Sequence, residues 1–237
     1  MVADESSNIN HDIGNCSTCQ ERFCAVSSLT DTQLTSLEYN CREVSLRKGD
    51  HIYHQGSLTS HIVYLRQGLV MEYKKGEGGR DQILQIVKSL SYLGLHSLFG
   101  DRVNNYSYKA LTDIRVCYID VDAFKKLVRE NGDFGYEILV SVCKESLNSH
   151  HRFLNTYSKQ TYGKVADALL YFGNVVFANP NFVLPLTRDE LGSLIGITRE
   201  SASRALTHFL HEGYILIQGA QISILQAEAL EKISKRG

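Results

Sequence analysis

Between about Glu43 and Ile119 the apolar residues come in short runs: HIYHQG, HIVYLRQGLVMEYKK, DQILQIVK and YKALTDIRVCYID, rich in Val, Ile, Leu and Tyr. Glycines at 49, 56, 68, 76, 78, 79, 94 and 100 punctuate them. Short strand-like runs at regular intervals predict an antiparallel roll or barrel. The Gly76-Glu77-Gly78-Gly79 cluster predicts a hairpin tip, because glycine supplies the positive φ angles a tight turn needs. Beyond Asp120 the period changes. No proline interrupts the chain as far as Tyr157, and Phe124, Leu127, Val128, Ile138, Leu139, Val142, Leu147, Phe153 and Leu154 recur at helical spacing. The pattern predicts a short helix, a break at Asn131-Gly132, and then a helix of about 25 residues. Such a helix needs a partner for its apolar stripe, either its own roll or a second copy of itself across a dimer axis. Ser146 and Ser149 are expected to interrupt that stripe.

The last third switches again. TYGKVADALLYFGNVVF reads as an amphipathic helix and FVLPL as a short extended piece. In Thr187-Arg188-Asp189-Glu190 a threonine precedes a glutamate by three, the reciprocal cap of a helix start. That helix runs through Leu191 and Leu194 to Gly196, where a missing Cβ lets the chain turn. Thr198 then caps a second helix with Ala202, Ala205, Leu206, Phe209 and Leu210 inward, ended by Gly213. Two short helices joined through a glycine turn predict a helix-turn-helix, whose second helix enters the major groove of DNA. Arg199, Glu200, Ser203 and Arg204 share its outward face. Arginine forks onto guanine, glutamate accepts from cytosine N4, and serine serves several bases. YILIQGAQISIL reads as strand, turn, strand, a wing that brings Gln218 or Gln221 to phosphate.

Charge adds no independent case for DNA: the formal net charge of −1 over 237 residues supplies no basic field. No apolar run reaches the roughly 18 residues of a membrane helix. The polar opening MVADESSNINHD lacks a signal peptide's apolar segment, so no membrane partner and a cytoplasmic setting are expected. There, six cysteines point to metal or redox chemistry rather than a disulfide scaffold. Three of them, Cys16, Cys19 and Cys24, crowd the front of the chain with the density of an iron–sulfur or zinc site, which wants four thiolates. Cys41 and Cys143 read as buried apolar thiols. No Gly-rich phosphate loop, nucleophile elbow or His-Glu pair of zinc-protease spacing appears, so no enzyme is expected.

A strand roll, a long helix and a winged helix-turn-helix resemble the family of bacterial transcription regulators that includes the cyclic AMP receptor protein and FNR, the fumarate and nitrate reductase regulator. The likeness covers nearly the whole chain and is most specific over ITRESASRALTHFLHEGYI. It implies an α+β chain: a cysteine-rich sensor segment (1–28), a cyclic-nucleotide-binding-like antiparallel β-roll, or double-stranded β-helix (29–130), a dimerisation helix (131–160) and a winged helix-turn-helix (161–237). In the resemblance Glu200 and Arg204 hold the shared base-reading positions, Ser203 looks like the serine of the FNR branch, and Arg199 like an arginine of the cyclic AMP receptor branch. The implied partners are a palindromic operator of TTGA or GTGA half-sites, a second copy in a homodimer, and RNA polymerase.

Relatives that bind cyclic AMP carry Gly-Glu-Leu and then Arg-Ser, whose arginine neutralises the cyclic phosphate. Here the text is Gly94-Leu95-His96 followed by NNYSYKA with no matching arginine, so cyclic AMP is not expected. His96 and Arg102 read as surface residues. The FNR branch takes its fourth thiolate from the strand before the long helix, the place of Cys117, so the resemblance implies a [4Fe–4S] cluster on Cys16, Cys19, Cys24 and Cys117 that responds to oxygen or nitric oxide. The spacing from Cys19 to Cys24 is one residue shorter than is usual in FNR. Zinc, a dithiol switch, haem on His96 or His11, or a small-molecule effector are the alternative sensors for the same regulator.

Overall fold

The computed structural model describes residues 12–13, 24–76, 81–100 and 102–237. Cys16, Cys19, His11 and residues 77–79 of the expected hairpin tip lie outside the described residues. The chain divides into two compact units. One takes the described residues up to Lys74 together with Ile86–Lys144; the other takes Lys75–Gln85 and Glu145–Gly237.

The first unit is built on two antiparallel sheets. Asp12–Ile13 (β1), Cys41–Leu46 (β2), His51–Tyr53 (β3), His61–Gln67 (β4), Leu69–Lys75 (β5), Asp81–Lys88 (β6, whose Asp81–Gln85 part belongs to the second unit), Ser91–Leu93 (β7), Ser107–Ala110 (β8) and Ile114–Asp120 (β9) are the strands, with Asp31–Tyr39 (α1), Leu95–Phe99 (α2) and Val121–Glu130 (α3) beside them. One sheet has the order β1-β2-β9-β4-β7 and the other β3-β8-β5-β6. Val44, Val63, Leu65, Val70, Leu93, Tyr108, Ala110, Ile114 and Val116 form the core of the roll. Neighbouring positions on the same strands, Ile62, Tyr64, Cys117 and Ile119, face the other way into a second core with Ala25, Leu37, Phe124, Leu127, Phe134 and Ile138. Both faces of the five-stranded sheet are therefore covered, which is why β4 reads as a continuous apolar run instead of an alternating one. At Gly68, φ is +94°, and a Cβ there would meet Asp113 O at 2.6 Å. Only glycine closes the β4–β5 turn against that backbone.

The break at Asn131-Gly132 is a capped junction. Asp120 opens α3 by accepting from the Asp122 and Ala123 amides at 3.0 and 2.9 Å. Asn131 accepts from Phe134 N at 2.9 Å, starting Gly132–Ser158 (α4), while its amide donates to Ser28 O and Gln33 Oε1. Phe134 and Ile138 of α4 are buried. About half a turn around the helix from Phe134, Tyr136, Leu139, Cys143, Leu147, His150, Leu154 and Tyr157 form an exposed stripe. Cys143 is thus not the buried thiol expected from its apolar surroundings: α4 carries apolar residues on two opposite faces, and Cys143 lies at the middle of the outer one. Cys41 is buried, as expected. Nor do both serines interrupt the stripe. Ser146 flanks it, and Ser149 lies off to the side, accepting from Arg152 at 3.0 Å.

The second unit adds Thr161–Tyr171 (α5), a π-helical turn over Phe172–Val176, Asn181–Val183 (β10), Arg188–Ile195 (α6), Arg199–His211 (α7), Ile215–Gln218 (β11), Gln221–Ile224 (β12) and Ala227–Arg236 (α8). Phe172, Phe182, Leu169, Leu191, Leu206, Phe209, Ile222 and Leu230 are buried in it. At the junction of α4 and α5, Lys159 Nζ donates to Asp167 Oδ1 at 2.6 Å and Ser234 Oγ at 2.9 Å, and Asn155 donates to Asp167 Oδ2. No described helix is long and apolar enough to cross a membrane.

Candidate nucleic-acid interface and thiol site

The local chemistry of the expected helix-turn-helix is present in full. Thr187 Oγ1 accepts from Glu190 N at 3.2 Å and Glu190 Oε2 accepts from Thr187 N at 2.7 Å, so α6 starts with two of its orphan donors satisfied. It ends at Gly196, whose φ of +68° carries the chain into the turn. The turn is closed by Ile197 N donating to Gly192 O at 2.9 Å. A Cβ on Gly192 would stand 2.7 Å from Ile197 O, so the glycine is what lets the start of α7 lie against α6. Thr198 caps α7 by accepting from Ser201 N at 3.2 Å. Gly213 follows the helix at φ +70°, with Tyr214 N donating to Phe209 O.

Ala202, Ala205, Leu206 and Phe209 of α7 are buried as expected, but Leu210 is exposed, because the inward stripe ends with Phe209. Arg199, Glu200 and Arg204 are exposed at the front of α7 and Ser203 is half-buried beside them. The four expected residues therefore share one edge of the helix. The Glu200 carboxyl is shifted down from its usual value, chiefly through its backbone N–H, then through a hydrogen bond with Thr198 and the charges of Arg199 and Arg204. It is ionised at neutral pH and acts only as an acceptor. Ser201, passed over in the sequence, organises this edge: its Oγ receives Thr198 Oγ1 at 3.1 Å and lies 3.3 Å from Arg204 Nη2. The Thr-x-x-Ser spacing at the cap was the available signal. In the wing, Gln218 and Gln221 pair directly across the β11–β12 turn and are both exposed.

Two thiols, those of Cys41 and Cys117, lie on the helix-covered face of the five-stranded sheet. Cys117 in β9 is 7% exposed and Cys41 in β2 is 1% exposed, both in the core that holds Ala25. Ala25 follows Cys24, the first residue of a 3-10 turn over Cys24–Ser28. At the other end of the front segment, Asp12 of β1 is in register with Glu43 of β2, and Glu43 with Cys117 of β9. Two strand spacings put the backbones of Asp12 and Cys117 about 10 Å apart. Among the described residues, no group of three His, Cys, Asp or Glu is arranged to hold a metal. Cys41 and Cys117 lie diagonally rather than opposite, since Cys41 pairs with Ile119.

In the roll, Gly94 takes φ +85° ahead of α2, and His96 and Arg102 are exposed. Asn104, which opens NNYSYKA, is buried, accepting from Thr59 Oγ1 at 3.1 Å and donating to Ser57 Oγ at 2.9 Å.

Two family models match: a cyclic nucleotide-binding domain over residues 43–131 and a Crp-like helix-turn-helix domain over residues 163–233. The chain is similar to the regulatory protein HlyX of Actinobacillus pleuropneumoniae, 25% identical over 91% of each chain. It is also similar to the fumarate and nitrate reduction regulatory protein of Vibrio cholerae, 24% identical over 92% of this chain and 89% of that one. A CRP-like cAMP-activated global transcriptional regulator of Mycobacterium tuberculosis is 22% identical over 84% of this chain and 91% of its own. Among solved structures, FixK2 of Bradyrhizobium japonicum shares the fold with a TM-score of 0.74 over 81% of this chain and 96% of that chain, at 22% identity.

Proposed function

Because the chain belongs to the CRP/FNR family of bacterial DNA-binding transcription regulators, we propose that it binds a TTGA-type palindrome as a homodimer, under the control of a [4Fe–4S] cluster on Cys16, Cys19, Cys24 and Cys117. Arg199, Glu200, Ser203 and Arg204 read the bases, Gln218 and Gln221 meet phosphate, and RNA polymerase is the further partner this role implies. The regulator is not an enzyme.

The observation that carries the thiol reading is the anchoring of the front segment at both ends on the sheet that bears Cys117. Ala25 packs in the core of Cys117, and β1 lies two strands from β9. Cys16 stands three residues after Ile13, a reach of up to about 11 Å, comparable with the gap of about 10 Å between β1 and β9. Cys19 lies between two fixed ends. This donor set of four thiolates suits iron–sulfur or zinc. When bound, the group supplies an oxygen- and nitric-oxide-labile tether. The four thiolates would hold that group, and through it the front segment would be fixed to the sheet, beside the core that Phe134 and Ile138 of α4 complete. The outer stripe of α4, from Tyr136 to Tyr157, then pairs with its copy and sets two α7 helices about one DNA turn apart. Tethering favours DNA binding only by as much as it binds the paired state more tightly than the unpaired one. The buried Asn104, and the lack of an arginine after it, leave cyclic AMP outside this reading.

The test is a gel shift on a TTGA palindrome with protein prepared and reconstituted without air. Binding should weaken at least tenfold after exposure to oxygen and be abolished in Arg204→Ala. Equal affinity before and after oxygen, with Arg204→Ala inactive, would keep the DNA reading and remove the cluster. Colourless zinc protein or a Soret band would replace it with zinc or haem.

A further inference from the structure

Within the second unit, two segments more than a hundred residues apart in sequence are joined by a serine. Ser193 lies in the last turn of α6. Its hydroxyl donates to Asp81 O at 2.7 Å and accepts from Ile83 N at 3.0 Å, while Gln82 Nε2 donates to the Ser193 carbonyl at 2.8 Å. Asp81 and Ile83 belong to β6, the outer strand of its sheet. A parallel neighbour strand bonds an edge in the same way, with one residue donating to a carbonyl and accepting from the N–H two residues further on. A hydroxyl does both jobs with one atom. Ser193 is therefore seated in the edge of β6 as a one-residue substitute for a strand.

The same short segment is held at its other end. Gln85, almost fully buried, donates from Nε2 to Glu145 Oε1 at 2.7 Å and accepts at Oε1 from Arg152 Nη2 at 2.9 Å. Glu145 and Arg152 are on one face of α4, two turns apart. Asp81–Gln85 thus joins α6 to the Glu145–Ser158 part of α4 inside a single compact unit. Because Gly192 and Ile197 fix α7 against α6, whatever sets the direction of α6 also sets that of α7.

We propose that Ser193 is a positioning residue for DNA recognition: clasped into Asp81–Gln85, it fixes the direction of the recognition helix relative to α4. The inference rests on the dimer reading, since direction matters to affinity only where two α7 helices must meet two half-sites at a set spacing. The hydroxyl of Ser193 is engaged by the backbone of Asp81 and Ile83, and a serine hydroxyl deleted for fold alone would act on every duplex alike.

The experiment uses the full chain, with Ser193→Ala, which removes both hydroxyl bonds, and Ser193→Thr, which keeps them. Amide exchange at Ile83 reads the clasp, and titration of duplexes carrying two half-sites or one reads its use. Ser193→Ala should speed Ile83 exchange and weaken binding to the two-site duplex about tenfold, the scale of two net hydrogen bonds, with one-site binding unchanged within twofold. Ser193→Thr should restore both. Unchanged exchange at Ile83 overturns the clasp. Faster exchange with two-site affinity intact overturns its role in positioning, and equal losses on both duplexes make Ser193 structural only. A wild-type protein that binds two sites no better than one overturns the dimer reading, and the positioning role with it.

Discussion

Replacing Gly192 with alanine sets two effects of opposite sign against each other. Inside an exposed helix the change favours folding by about 1 kcal/mol, because alanine loses less backbone freedom than glycine. In α6 the new Cβ would stand 2.7 Å from Ile197 O, 3.3 Å from Thr198 C and 3.4 Å from Arg199 N. All three are backbone atoms, so no side chain can swing aside. The turn must retreat by about half an ångström, which strains the Ile197–Gly192 hydrogen bond and the Thr198 cap. Overpacking of this kind costs about 1–3 kcal/mol, and a weakened hydrogen bond about 1 kcal/mol more. The steric term wins, and Gly192→Ala should destabilise the second unit by about 1–3 kcal/mol net. It should also weaken DNA binding beyond that loss of fold, since Arg199 and Glu200 stand on the displaced backbone. Urea unfolding followed by helical circular dichroism, with fluorescence anisotropy on an operator duplex, measures both. Gly213→Ala is the control: its φ is +70° but nothing lies within 4 Å, so only about 1–2 kcal/mol of backbone strain is expected. An alanine at 192 that folds as stably as wild type and binds DNA equally well would refute the close approach.

Other consequences can be measured with the same protein. Asp167→Ala strips the acceptor from Lys159, Asn155 and Ser234 at once; Lys159 is only 15% exposed there, so a loss of about 2 kcal/mol by urea titration is expected, and a loss under a few tenths would show the junction to be slack. Burial raises the hydroxyls of Tyr53, Tyr118 and Tyr171 above their usual range. Their contribution to stability is complete below about pH 10, where unfolded tyrosine is neutral, and is lost as pH rises toward the folded values. Melting temperature should therefore fall above pH 10 and less steeply in Tyr53→Phe; a flat profile would contradict the burial. Parallel pairing of α4 places Cys143 opposite its copy. Helix axes about 8–10 Å apart bring facing Cα atoms to about 3.5–5.5 Å, which reaches the disulfide range. Diamide, which takes up the two electrons and two protons of the thiol pair, should give a covalent dimer that Cys143→Ser abolishes, and failure to cross-link would exclude in-register pairing along this stripe.

The parts of the fold written in local chemistry were legible. The Thr187–Glu190 box, the turn at Gly196 and the Thr198 cap lie within a few residues of one another, so α6 and α7 follow from the sequence. The roll was legible from its strand runs, and the α3–α4 break from Asn131-Gly132. Helix α1 is hard to recognise in the sequence, although Thr30 and Gln33 cap each other reciprocally, because its apolar positions are few. Periodicity does not say which of the two apolar faces of α4 turns inward, which is why the expectation of a buried Cys143 fails. Long-range pairings left no local mark at all: β1 beside β2, Ala25 in the core of Cys117, and Ser193 in the edge of β6 exist only once the chain is folded.

Iron and sulfide content, with the visible spectrum, of protein reconstituted without air tests the central claim most directly, when wild type, Cys117→Ser and Cys41→Ser are measured side by side. Wild type and Cys41→Ser should each hold about four irons and four sulfides per chain with oxygen-sensitive thiolate-to-iron absorption, and Cys117→Ser should hold far less. Wild-type protein that takes up no iron, or Cys117→Ser that retains the full complement, would contradict the account.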